Sequence, residues 1–124
     1  MQKILLVEDD NLTRTTLRQF LRANGYEVES AEGGTQALSL LKGNEFDLVV
    51  SDVVMPNVNG WDLCDHISAV APDTPVLLMT AYAAVQAQSR QAQSRPMPEV
   101  ILKPLLLTDL LSKIQNILRQ KTEN

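Results

Sequence analysis

Short, nearly unbroken apolar runs recur along the chain: KILLV at residues 3–7, DLVVS at 47–51, PVLLM at 75–79 and EVIL at 99–102. An unbroken run marks a strand whose two faces are both covered, because neither face meets water. YEVESA at residues 26–31 alternates instead, which predicts a strand at the edge of the sheet. The stretches between these runs carry helical spacing. Asn11 is placed to cap a helix that presents Leu17, Phe20 and Leu21 on one face, with Gly25 as its left-handed stop. Ala37, Leu38 and Leu41 give a second helix ending at Gly43, and Leu63, Cys64 and Ile67 a third from Gly60 to Val70. A fourth, at residues 83–95, is rich in Gln and Ser and poor in large apolar side chains. The last is built on Leu110, Leu111, Ile114, Ile117 and Leu118.

Strands alternating with helices in this way predict an α/β fold, a doubly wound sheet of five parallel strands with five helices and right-handed crossovers. In such sheets ligands gather beyond the carboxyl ends of the strands, near the point where strand order reverses. The residues that end the strands therefore decide the chemistry.

Bulk properties narrow the classes. A chain of 124 residues supports a single domain over residues 1–124, with 120–124 as a short tail. No apolar run approaches the roughly 20 residues that cross a bilayer, and MQKILLVEDD meets acid too early for a secretory signal, so a cytoplasmic protein without membrane contact is expected. Cys64 stands alone, which leaves no internal disulfide and no cysteine metal cluster. The net charge of −4 argues against this domain holding nucleic acid directly, since that affinity comes largely from neutralising phosphates.

The first strand runs into Glu8, Asp9 and Asp10, the third into Asp52, the fourth into Thr80 and the fifth into Lys103. Carboxylates converging on one rim repel each other unless a cation sits among them. Oxygen donors without histidine or cysteine point to magnesium, which accepts one or two carboxylates and retains water. Lys103 and Thr80 then supply a cation and a hydroxyl for phosphoryl oxygens. Asp52, at the end of a central strand, becomes the candidate nucleophile for an acyl phosphate. Taken singly, each residue has a plain structural reading: Asp10 and Asn11 as helix caps, Thr80 as a strand end, Lys103 as a solvated charge before proline. His66 reads as exposed, Trp61 as a packing residue at the rim and Cys64 as core. Met55-Pro56 and Gly60 read as backbone devices that shape the loop after Asp52.

VEDD, DVVMPNVNG, MTAY and LKP, in this order at successive strand ends, resemble the receiver domain of two-component response regulators. The resemblance covers essentially the whole chain. It implies the flavodoxin-like strand order 2-1-3-4-5, Asp52 as phosphoacceptor, Asp9 as a direct magnesium ligand, Glu8 acting through water, and the backbone carbonyl of Val54 as a third protein ligand. It further implies Thr80 as switching hydroxyl, Lys103 as phosphate-contacting lysine and a cis Lys103–Pro104 bond. The phosphodonor would be a phosphohistidine on a sensor histidine kinase or phosphotransfer protein. The domain would be a signalling module that catalyses its own phosphorylation and dephosphorylation rather than an enzyme acting on other substrates. Its recipient would be an output domain or partner protein, and a phosphorylation-dependent homodimer is compatible with it.

Three other readings compete. A haloacid-dehalogenase-like phosphatase would carry Asp-x-Asp after the first strand, where Asp9 and Asp10 are adjacent. A nucleotide-binding Rossmann module would carry a glycine-rich turn in place of EDDNLT. A degenerate receiver acting as a constitutive binding module would typically have lost Asp52 or Lys103. Departures from the family pattern are also present: Val100 stands where an aromatic residue is usual, and the segment before the last strand lacks Gly-Ala. Tyr82 is expected over the rim of the site, and the helix at 83–95 is expected to carry the response.

Overall fold

Each of the apolar runs becomes a strand, and among the described residues a helix follows the first, second, third and fifth. The computed structural model describes residues 1–55, 58–81 and 98–123. In chain order the described elements are β1 (Lys3–Val7), α1 (Asn11–Ala23), β2 (Glu27–Ala31), α2 (Gly34–Gly43), β3 (Leu48–Asp52), α3 (Gly60–Val70), β4 (Val76–Thr80), β5 (Glu99–Leu102) and α4 (Leu107–Glu123). The expected helix at residues 83–95, Tyr82 and Pro56 lie outside the described residues.

The strands form one parallel sheet in the order β2-β1-β3-β4-β5. β1, β3 and β4 are buried almost throughout. Successive side chains of these unbroken runs point to opposite faces, so each strand feeds two cores. Leu5, Val7, Val49 and Leu78 join Ala37 of α2 and Leu63, Cys64 and Ile67 of α3. Ile4, Leu6, Val50, Leu77 and Met79 join Leu17 and Leu21 of α1 and Leu110, Ile114, Ile117 and Leu118 of α4. Burying a large aliphatic side chain contributes roughly 1.5–3 kcal/mol, which makes these two layers the main source of stability.

Some local expectations change and others hold. The cap of α1 is Asp10, one residue earlier than Asn11: its extended backbone aims the carboxylate at Thr13, which donates through its backbone N–H at 2.8 Å and its hydroxyl at 2.7 Å. Those bonds hold the Asp10 carboxyl below its ordinary range. Gly25 takes φ 94°, the left-handed conformation that ends the helix region without a Cβ clash. Trp61 is buried in the core with Val53 and Met55 instead of lying on the rim, since the start of α3 is drawn tightly against the end of β3. Residues 120–123, expected as a tail, continue α4. The Lys103–Pro104 bond is cis.

Candidate functional site

Strand order reverses at β1, which pairs with β2 on one side and β3 on the other. The turn after β1 and the last residue of β3 therefore share one crevice at the carboxyl edge of the sheet. Glu8 and Asp52 are buried there, while Asp9 is exposed. One carboxylate oxygen from each of Glu8, Asp9 and Asp52 can be chosen so that all three lie within 4.8 Å of one another. Lys103, one residue beyond β5, reaches in from the other side: its Nζ donates to Asp52 Oδ2 at 3.0 Å and lies 3.7 Å from Glu8 Oε1.

The electrostatics follow from this packing. Burial raises the Glu8 carboxyl above its ordinary range; the Asp10 N–H and Lys103 oppose that shift, whereas Asp52 and Asp9 reinforce it. Burial by itself would weaken the Lys103 ammonium, but the hydrogen bond it donates to Asp52 and the charges of Asp52 and Glu8 outweigh it and hold its pKa above that of an ordinary lysine. Glu8 is oriented by the bond from the Asp10 N–H to Oε2 at 3.1 Å. Its other oxygen, Oε1, is buried and accepts no hydrogen bond from the described residues. A buried carboxylate oxygen without a hydrogen-bond donor, in an all-oxygen cluster open on the Asp9 side, fits a hard divalent cation.

Backbone geometry supports the same point. Gly60 N donates to Val53 O at 2.8 Å, and a Cβ on Gly60 would come within 2.7 Å of the Asp52 carbonyl oxygen. Glycine there lets the start of α3 close onto the end of β3, and Asn59 caps that helix by accepting from Asp62 N at 2.9 Å. Ser51, fully buried, donates its hydroxyl to the Asp52 carbonyl at 2.8 Å.

Of the residues expected at the site, Glu8, Asp9, Asp52 and Lys103 come together. Thr80 is buried at the end of β4, the neighbour of β3, and its hydroxyl donates to Ala81 O at 3.1 Å rather than to Asp52. Val54 lies two residues past Asp52 with its side chain exposed. Val100, in β5 beside Leu78 of β4, packs half-buried against the α2–α3 core. Arg14 was not singled out from the sequence, yet its guanidinium donates to the carbonyl of Glu8 at 2.9 Å and to that of Asp9 at 3.4 Å. Its position one turn into α1, just after the acidic turn, was the available signal.

Comparison with known proteins shows the family and the fold. The family described as response regulator receiver domain matches residues 4–115. The chain is similar to the response regulator MprA of Mycobacterium sp. (strain KMS), 36% identical over 118 residues, covering 95% of this chain and 51% of that protein. MprA of Mycolicibacterium vanbaalenii is 35% identical over 120 residues, covering 97% and 52%. The chain thus spans about half the length of the curated relatives it matches. Among solved structures, a CheY-like receiver domain protein from Methanospirillum hungatei superposes with a TM-score of 0.91 at 28% identity, covering 99% of this chain and 98% of that one. The response regulator TrrA of Thermotoga maritima, solved with Mg2+ and BeF, gives 0.83 at 28% identity, covering 94% and 99%.

Proposed function

Because the chain belongs to the response regulator receiver domain family, we propose that Asp52 accepts a phosphoryl group from a phosphohistidine of a sensor histidine kinase or phosphotransfer protein. The observation that carries the assignment is the 3.0 Å contact between Lys103 Nζ and Asp52 Oδ2 beside Glu8 and Asp9. It makes Asp52 the described carboxylate that is buried, lysine-bonded and next to two further carboxylates.

Magnesium is the proposed cation, with Asp9 as direct ligand, Glu8 acting through water, Asp52 and the Val54 carbonyl completing the protein donors; when bound it would offset the carboxylates and the charge on phosphoryl oxygens. An Asp52 oxygen attacks phosphorus in line with the leaving group. The P–N bond to the donor imidazole breaks, its electron pair leaves with the imidazole, and a carboxylic–phosphoric anhydride remains on Asp52. Lys103, released from Asp52, turns its ammonium to a phosphoryl oxygen, and Thr80 rotates its hydroxyl from Ala81 O toward another. Hydrolysis of the anhydride resets the domain, so the chain takes part in both its own phosphorylation and dephosphorylation. The phosphorylated face would then engage an output domain, a partner protein or a second copy of the chain. No described helix is long and apolar enough to cross a membrane.

Incubation with acetyl phosphate and magnesium tests the reading, with intact-protein mass as the measurement. One phosphoryl group is expected on the parent and none on Asp52→Asn. Equal labelling of Asp52→Asn would overturn the assignment.

A further inference from the structure

Arg14 makes a set of contacts that helix formation alone does not require. The first bond of the α1 ladder runs from Arg14 N to Asp10 O at 2.9 Å, so the ladder begins at Asp10 and leaves the carbonyls of Glu8 and Asp9 without helical donors. Helical side chains slant toward the N-terminus, and the Arg14 side chain accordingly runs back along α1 to the acidic turn. One terminal nitrogen donates to Glu8 O at 2.9 Å and to Asp9 O at 3.4 Å. The other donates to Asn11 Oδ1 and lies 3.6 Å from Glu32 Oε1. The Arg14 side chain is only 13% exposed, whereas that of Glu32 is 73% exposed, so the ion pair is a minor contribution beside the carbonyl bonds.

The geometry points to Arg14 as a positioning residue for the divalent-cation site. With the Asp10 N–H on Glu8 Oε2, its guanidinium fixes the turn from Glu8 to Asp10 at the backbone, and in that turn one carboxylate oxygen each of Glu8 and Asp9 lies within 4.8 Å of one of Asp52. This inference rests on the reading of Glu8 and Asp9 as cation ligands.

Charge and position predict opposite signs. A second cation near a bound dication is repulsive, so if Arg14 acted by charge alone, Arg14→Met would tighten magnesium binding and Arg14→Lys would leave it unchanged. A positioning role predicts weaker binding in both, because a lysine has one nitrogen and cannot hold the Glu8 and Asp9 carbonyls and Asn11 Oδ1 from two. Support groups of this kind typically cost about 10-fold or more in metal affinity when removed.

Magnesium titrations of the whole chain, followed by backbone amide shifts without any phosphodonor, decide between them, with metal-free melting curves recorded in parallel. About 10-fold weaker binding is expected for Arg14→Met and a smaller loss for Arg14→Lys. Should Arg14→Met fail to fold, Arg14→Lys decides by itself. Parent-like or tighter magnesium binding in a folded Arg14 variant, alongside an Asp9→Ala chain that has lost it, overturns the inference while sparing the cation site. Parent-like binding by Asp9→Ala overturns the cation-site reading and the inference with it.

Discussion

Glu8 sets the pH behaviour of the site. Its folded pKa is raised above the ordinary carboxyl value of 4.5 that holds in the unfolded chain, first by burial and then by Asp52 and Asp9. The native state therefore holds a proton that the unfolded chain has already released, and the stability this contributes is present below pH 4.5 and lost as pH rises through the folded value. Without magnesium, Glu8→Gln should gain melting temperature relative to the parent as pH climbs from 4.5 toward neutrality. A series of metal-free melts across that range checks this, and a constant difference between the two proteins would contradict it. Val100 also carries weight at this scale, since a half-buried, β-branched side chain against the α2–α3 core has neither the ring nor the rotational freedom for a large swing.

At the scale of elements, the site is made by what happens immediately after β1, β3 and β5. The two residues that open α3 do different things and should separate experimentally. Asn59 only caps the helix, so Asn59→Ala should cost about 1 kcal/mol of stability while leaving acetyl-phosphate labelling close to the parent rate. Gly60 admits the Asp52 carbonyl, so the Cβ of Gly60→Ala should cost about 1–3 kcal/mol by overpacking and also slow labelling, because the strain falls on the backbone of Asp52. Denaturant melts paired with labelling rates make the comparison; equal slowing by both variants would refute the distinction. The edge position of β2 was legible from its alternation, whereas that of β5, which closes the opposite edge, came only with the order 2-1-3-4-5 that the family resemblance implied. An unbroken apolar run reports how well the two faces are covered and carries no information on how many strands lie beside it.

For the molecule as a whole, folding gathers like charges at one rim, and the cation that offsets them should stabilise the native state. Magnesium at 100 times its dissociation constant should add about 2.7 kcal/mol to parent stability. Asp9→Ala should lose this increment and yet melt no lower than the parent when metal-free, because it removes one of three neighbouring carboxylates; a metal-free Asp9→Ala chain melting well below the parent would defeat the repulsion argument. Residue pattern alone was enough for the alternation of strands and helices, the doubly wound class, and the chemistry waiting at the strand ends, because covered strands must be apolar throughout and a charge that interrupts them needs compensation. The bond between Lys103 and Asp52, 51 positions apart, follows only from the strand order. The same holds for the bond from the Thr80 hydroxyl to Ala81 O, the inward turn of Trp61 and the reach of Arg14 to the acidic turn. Side-chain direction is decided by the partners that packing brings within hydrogen-bonding distance, and residue type and spacing leave those partners open.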